Sequence, residues 1–507
     1  MNLSRFERPT AGDLVAGVSV AVVLIPQSLA YAELAGMPPY TGLFAAAIPP
    51  IAAAFLASSR YLQTGPVAMT ALLTFGALRP LGLMPESNDW LKAAALLAIL
   101  VGAIRVLLGL ARGGVIAFLL SQPVLKGFTS AAAILIVGSQ IPTALGTKAG
   151  EGKILWSALS ALADPSGWDL GAVALSLAGV ALVSIGPKIH PLFPAVPIIL
   201  IAGLIISKAT SYGAALVGDI PAGFPPFSLD LPWYDVPVLL VPALVVALVG
   251  FAEPASIART FAAADRERWS ADRELLSQGV ANLASGISGG FPIGGSFSRT
   301  SIARISGANS RWAGAVVGIL VLAFLPVAGV LSDLPRAVLA SIIIAAVAKL
   351  IRPDELWHVW RATPPQGVVG IITFGATLAL SPRIDLGILL GVGLAVLVHL
   401  WRELTVPIHT AYDGSTLRVK LTGVVFFASA QQVNDRLVDI VADHPEVDHV
   451  VIDLEGVGRL DYTAARTLKG MSDDLSDGGC AVELVNVNSA VQRIVSKVWS
   501  DRDHPST

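Results

Sequence analysis

The sequence has one cysteine, Cys480, among 507 residues, which excludes an intramolecular disulfide and any cysteine-cluster metal site. Its seven histidines, His190 and His399 among them, fall at no metal-ligand spacing. No Gly-rich Walker A pattern is present, so ATP-driven chemistry has no support in the residues. Charge is scarce as well. Only 14% of residues are charged, where a soluble domain carries about 25%. A net charge of −2 leaves no basic excess to track a phosphate backbone, and nucleic acid is not a favoured partner. With no catalytic constellation and no cofactor motif, the composition argues against a soluble enzyme.

What the chain does have is apolar length: 54% of it is hydrophobic and its mean hydropathy is +0.71. The last 107 residues hold 16 acidic and 10 basic side chains, whereas the first 400 hold 20 and 24. That shift marks a membrane part at 1–403 and a soluble part at 404–507. A crossing helix needs about 20 mostly apolar residues. Eleven clear stretches run at Leu14–Ala32, Leu43–Ala57, Leu91–Leu110, Val124–Ile141, Leu170–Ile185, Val196–Ile206, Val236–Phe251, Ala313–Val330, Ala337–Leu350, Gly367–Leu380 and Leu386–Trp401. Weaker ones at Gly65–Leu78, Leu275–Ile287 and Ser296–Ile305 bring the total to fourteen. Ala30-Tyr31-Ala32 has the form of a secretory cleavage site, but Pro26-Gln27 interrupts the run before it and many later segments also need to insert. Arg5 and Arg8, the Arg259–Arg273 run, Arg352 and Arg361 suit cytoplasmic positions, and an even count puts both chain ends there. Arg105 and Arg112 are read as snorkelling to the same interface.

The weak stretches are the informative ones. Gly65-Pro66 precedes an apolar run that meets Arg79 after about a dozen residues, too short to span alone. Proline suits a first helical turn, so a half-helix is expected to begin near Pro66. Gly289–Gly295 leads likewise into the short Ser296–Ile305 run. These fall third and tenth of fourteen, equivalent places in two repeats of seven, and an odd repeat length inverts the second copy. Paired broken segments of this kind point to a transporter site where half-helix N-termini face an anion. Ser296, Ser298, Thr300 and Ser301 suggest a wetted pocket beside Arg299. Glu253, at the end of the eighth run, is an ionisable side chain in a span and a functional candidate by default. Gln27 holds the comparable place in the first repeat. Tyr31 on sequence alone is an interface anchor, and Glu33 is structural.

Beyond Trp401 the period changes. Thr416–Leu421, His449–Leu454 and Ala481–Val487 read as strands, alternating with helices around Val433–Val441, Thr463–Leu475 and Val491–Val498. A small parallel or mixed α/β domain follows, with regulation or interaction as its default role.

The run Ala21-Val22-Val23-Leu24-Ile25-Pro26-Gln27-Ser28-Leu29-Ala30-Tyr31-Ala32, with Leu34-Ala35-Gly36-Met37-Pro38-Pro39 and Gly42-Leu43, closely resembles the signature of the sulfate permease (SulP) anion transporters. Gly65-Pro66-Val67-Ala68, Glu253-Pro254-Ala255, Ile257-Ala258-Arg259 and Ser296-Phe297-Ser298-Arg299 strengthen the likeness. Val451-Ile452-Asp453-Leu454 to Leu460-Asp461 resembles the core of a STAS domain. The resemblance implies an α-helical polytopic protein of fourteen segments in two inverted repeats of seven. Segments 1–4 and 8–11 would form a mobile core and segments 5–7 and 12–14 a gate, in a homodimer with a cytoplasmic STAS domain. It implies a small anion as substrate, with sulfate, bicarbonate, chloride and a C4-dicarboxylate all open, held by Gln27, Tyr31, the backbone at Val67 and Ala68, Ser298 and the Arg299 region. Glu253 falls at a coupling-ion position, for H⁺ or alternatively Na⁺. Proton symport by an elevator-like movement in the inner (cytoplasmic) membrane is the favoured reading, with exchange, Na⁺ coupling and channel-like conduction as alternatives. Thr463 occupies the phospho-acceptor position, although Asp461-Tyr462-Thr463-Ala464 departs from the Asp-Ser-Ser-Gly pattern. A nucleobase permease would place a carboxylate on the tenth segment, which Ser298-Arg299 does not supply.

Overall fold

Thr10 and Asp13 open the first helix reciprocally. The Thr10 hydroxyl accepts from the Asp13 amide and the Asp13 carboxylate accepts from the Thr10 amide, satisfying donors that a helix start otherwise leaves bare. From there a computed structural model describes residues 8–500 apart from 119, 149, 151, 191, 211, 222 and 405. The chain divides into two units, Met1–Gly393 and Leu394–Thr507; the division falls inside a helix rather than after it.

Through the end of that dividing helix the chain runs α1 (Ala11–Leu34), α2 (Tyr40–Leu56), β1 (Gln63–Gly65), α3 (Ala68–Leu78), α4 (Asn88–Leu110), α5 (Gln122–Ala144), α6 (Ile154–Ala163), α7 (Leu170–Ile189), α8 (Ala195–Ala209), α9 (Val236–Ala264), α10 (Ala271–Ile287), β2 (Gly294–Ser296), α11 (Phe297–Ile305), α12 (Trp312–Phe324), α13 (Arg336–Val347), α14 (Pro353–Ala362), α15 (Pro364–Ala379) and α16 (Ile384–Leu404). Seven of the described helices are long and apolar enough to cross a membrane: α1, α4, α5, α7, α9 with the turn before it, α12 with the turn after it, and α16. The other apolar stretches read from the sequence also fall on helices, whereas α6 and α14 lie outside those stretches. Helix α9 overruns its expected end at Phe251, continuing through Glu253-Pro254 and Arg259 to Ala264. Neighbouring helices can meet the backbone group that an internal proline frees. The expected basic loop accordingly starts only at Asp265.

Packing repeats in pairs. Helix α4 lies on α10 as α12 lies on α2, α1 meets α12 as α9 meets α4, and α5 meets α15 as α13 meets α7. Each pair maps onto the other by exchanging helices seven stretches apart. At the centre, β1 pairs antiparallel with β2, Thr64 opposite Gly295. Small residues permit the close crossings: a Cβ on Gly102 would lie 2.6 Å from the Leu283 nitrogen, and one on Gly286 would lie 2.5 Å from the Ala95 oxygen. Without a hydrophobic drive between helices in lipid, such close approach supplies the packing energy.

In the second unit β3 (Ile408–Asp413), β4 (Thr416–Val425), α17 (Phe427–Ala442), β5 (His449–Leu460), α18 (Tyr462–Asp477), β6 (Ala481–Val485) and α19 (Ser489–Ser500) form a four-stranded sheet in the order β3-β4-β5-β6 with three helices. β3 pairs antiparallel to β4, and the other pairings are parallel. Alternate β4 residues Leu417, Val419 and Leu421 are buried with Val450, Ile452, Leu437, Leu468 and Val495. The buried residues of this core all lie within 406–498, and burial raises the Cys480 thiol above its ordinary pKa. A fragment of residues 406–500 should therefore unfold cooperatively in urea. Leu468→Ala, at a position with 0% exposure, should cost it about 2–5 kcal/mol. Arg466→Ala, at an exposed position, should stay within about 0.5 kcal/mol. Equal losses for the two would contradict the assigned core.

Candidate functional site

Pro66 lacks an N–H and follows Gly65, whose φ of 156° lies in glycine territory. The chain therefore turns sharply out of β1 and starts α3 at Ala68. No side chain caps that start, so first-turn amides stay available to a ligand. Ser296 ends β2 and caps α11 by accepting from the Arg299 amide at 3.5 Å, with its hydroxyl 3.2 Å from that of Ser298. The antiparallel strands thus bring the two short helices together, start facing start.

The ends of both helices open on a cavity of about 1720 Å³. Gln27 and Tyr31 of α1, Val67 and Ala68 at α3, Glu253 of α9 and Ser298 of α11 all line it. Gln27 and Tyr31 are buried in its wall, while Glu253 and Ser298 are exposed to it. Arg299 stands differently. It is fully buried behind the wall, where Nη2 donates to the Pro66 carbonyl at 2.9 Å and Nη1 donates to Gln27 Oε1 at 3.3 Å. A guanidinium can only donate, so this bond makes Oε1 the inward acceptor and leaves Nε2 as the amide's donor end. Arg299 thus presents Gln27 and the α3 start to the cavity rather than lining it.

Further away the wall turns basic. Lys126 on α5, Lys349, and Arg352 beside α14 line it with Glu355. Glu355 lies 2.5 Å from Arg352 and 3.3 Å from Lys126. The Arg352 hydrogen bond, aided by Lys126, holds the Glu355 carboxyl below its ordinary pKa. Thr463, in the second unit, is exposed in the first turn of α18. Among the described residues no group of His, Cys, Asp and Glu could hold a metal ion.

Two features escape the sequence reading. Helix α10 carries a buried polar stripe under the site: Gln278 Nε2 donates to the Thr64 hydroxyl at 2.7 Å, and Ser285 Oγ donates to the Phe291 carbonyl at 2.7 Å. Asn282 grips Ile293 at both ends, its Oδ1 accepting from the Ile293 amide at 2.9 Å and its Nδ2 donating to the Ile293 carbonyl at 3.2 Å. The i, i+4 spacing of Gln278 and Asn282 in a weakly apolar stretch is the signal that could have found it. Arg105 corrects an expectation. It does not reach an interface but is completely buried, and donates to carbonyls of Val246, Ala247 and Ile293; the glycine at 250 leaves the room it occupies. Arg112 is exposed, as a surface residue would be.

The model of the sulfate permease family matches residues 11–373, and that of the STAS domain matches residues 408–502. A probable sulfate transporter of Mycobacterium tuberculosis is 31% identical over 94% of this chain and 89% of its own length. A chloroplastic sulfate transporter of Arabidopsis thaliana is 30% identical over 96% and 78%. Among solved structures, the murine solute carrier 26 family member A9 in its inward-facing state superposes with a TM-score of 0.89 at 20% identity, covering 98% of this chain and 89% of that one. The transmembrane domain of the cyanobacterial bicarbonate transporter BicA gives a TM-score of 0.64 at 23% identity, over 76% and 97%. Both structural likenesses are likenesses of fold.

The α10 stripe yields a test of the scaffold. Asn282→Ala strands the buried Ile293 amide, a loss of about 1–3 kcal/mol for the orphaned donor beyond the lost contacts. Ser277→Ala removes a single bond to the Ala53 carbonyl, worth about 1 kcal/mol. Thermal unfolding of the detergent-solubilised protein should show the Asn282 variant melting clearly below the Ser277 variant. The reverse order would remove Asn282 from its place as the fastening of the β2 approach.

Proposed function

The chain belongs to the sulfate permease family, and from that premise we propose that it is a secondary active transporter of small anions coupled to protons. The observation that carries this reading is the meeting of two helix starts, the Gln27 donor end, Ser298 and the Glu253 carboxyl on one cavity wall. Unpaired amides at a helix N-terminus favour an anion, and hydroxyl and amide donors suit its oxygens or a halide. Sulfate is the substrate suggested by the names of the Mycobacterium and Arabidopsis relatives, and bicarbonate by that of BicA; chloride and a C4-dicarboxylate suit the same donors. In this reading residues 1–403 form the transport domain, with segments 1–4 and 8–11 carrying the site past a gate of segments 5–7 and 12–14, and residues 404–507 form a cytoplasmic STAS domain with Thr463 as its candidate modification site. The working unit is a homodimer in the inner membrane with both chain ends in the cytoplasm.

Glu253 is the proposed coupling group, because a carboxyl beside a bound anion gains from taking up a proton. Sodium at the same carboxyl, or plain anion exchange, are the alternatives.

Uptake of a panel of labelled anions into proteoliposomes, with and without an inward proton gradient, tests the whole reading. Ser298→Trp should fold normally yet lose uptake, since an indole would fill the space between the helix starts. Saturable uptake with unchanged apparent affinity would move the anion elsewhere.

Glu253→Gln mimics the protonated form. Binding should survive it and lose its dependence on pH, and gradient-driven accumulation should stop while anion-for-anion exchange persists. Accumulation with wild-type pH dependence in this variant would take the coupling proton away from Glu253.

A further inference from the structure

A second guanidinium lies behind the cavity wall. Arg105 on α4 has 0% exposure, and its three nitrogens donate to the carbonyls of Ala247 at 3.1 Å, Val246 at 3.2 Å and Ile293 at 3.1 Å. Among the described residues it enters no ion pair. Its position is set by three elements of the site. A Cβ on Gly250 of α9 would lie 2.7 Å from Arg105 Nη2 and 3.0 Å from the Thr70 methyl in the first turn of α3. A Cβ on Gly294 of β2 would lie 3.2 Å from Val67 and 3.4 Å from the Gly250 carbonyl. The guanidinium therefore sits where α3, α9 and the approach to β2 converge. The other faces of the same elements present Val67, Ala68, Val249, Glu253 and Ser296 to the cavity.

The carbonyls do not need it. Val246 and Ala247 lie inside α9, where they also accept from the amides four residues on. The Ile293 carbonyl accepts from Asn282 as well. A neutral side chain would leave none of the three bare, and burying an unpaired cation carries a large desolvation cost. No carboxylate among the described residues pairs with it, and an anion entering the cavity would supply the counter-charge.

We propose that Arg105 is a fixed positive charge of the anion site, acting on the bound anion through the wall instead of by contact and favouring anions of higher charge. This rests on the transporter reading and adds to it a determinant of charge preference. Coulomb energy scales with the product of charges, so whatever factor Arg105 contributes for a monovalent anion is squared for a divalent one. A merely structural role would weaken both alike.

The test is isothermal titration of the full-length protein in lipid nanodiscs with chloride and with sulfate, for wild type, Arg105→Lys and Arg105→Gln, together with thermal unfolding of each. Wild-type binding of either anion bears on the transporter reading alone. For Arg105→Gln the expected result is a three- to tenfold higher Kd for chloride and about the square of that factor for sulfate, with a melting temperature unchanged or raised. Arg105→Lys should stay within about twofold of wild type for both. Equal losses for the two anions, a lysine variant as impaired as the glutamine variant, or a glutamine variant that fails to fold would each overturn the proposal. Where one anion alone binds, the contrast between lysine and glutamine decides. If wild type binds neither, the transporter reading fails by itself, and an undiminished melting temperature in Arg105→Gln still speaks for a charge with no structural task.

Discussion

A helix that starts part-way along a membrane protein exposes peptide groups where no bulk water can satisfy them, and two such starts dictate most of this architecture. Unsatisfied groups in hydrocarbon cost several kcal/mol each. The β1–β2 pair meets part of that demand, since residues 63–65 and 294–296 bond to each other where neither could continue as helix. Side chains meet more of it. Thr300 Oγ1 accepts from the Gln63 amide at 3.1 Å, Arg299 covers the Pro66 carbonyl, and Asn282 covers both polar ends of Ile293. What remains open is the face toward the cavity, where α3 has no cap. The α3 start is thus the place where backbone donors stay free toward the cavity.

Keeping that arrangement rigid requires elements to touch closely, and the glycines are where they do. A Cβ on Gly295 would lie 2.7 Å from Leu62 and one on Gly290 would lie 2.5 Å from the Ser285 hydroxyl. The polar stripe of α10 can reach the β2 approach only because these backbones come so near. Asp13 and Glu274 do the same work at the rims. Asp13 Oδ1 accepts from the Asn309 and Ser310 amides at 2.8 Å each, and Glu274 Oε2 accepts from the Ser58 and Ser59 amides at 3.1 and 2.8 Å. Fully buried acids in a membrane protein need not be functional. Loop amides hold Asp13 Oδ1 and Glu274 Oε2, while Glu274 Oε1 has no hydrogen-bond partner.

Sequence alone revealed the features that depend on local chemistry. Pro66 and the Gly289–Gly295 run mark the broken segments because proline and glycine restrict or free the backbone wherever they stand. The change of period after Trp401 marks the α/β domain for the same kind of reason. Features that depend on a partner far along the chain stayed hidden. Arg105 looks like a snorkelling residue because its three acceptors lie more than 140 positions away. Arg299 reads as a cavity residue, yet its bonds to Gln27 and the Pro66 carbonyl keep it behind the wall. The end of α9 was misplaced because polar Glu253 and Pro254 suggest a boundary to any local rule, while the helix that surrounds them is held by its neighbours.

The charges on the cavity wall sort themselves by what already occupies them. Glu355 is engaged by Arg352 and Lys126, so a proton there would have to compete with two cations. Glu33, two residues past the cavity-lining Tyr31 of α1, faces Arg336 at 3.2 Å. Glu253 is the carboxylate of the wall that enters no ion pair among the described residues, and it stands six residues beyond Ala247, whose carbonyl accepts from Arg105. Its nearest fixed cation, Arg299, is committed to Gln27 and Pro66. The cavity wall is thus backed by two guanidiniums already committed to carbonyl and amide oxygens, and carries one carboxyl with no ion-pair partner among the described residues.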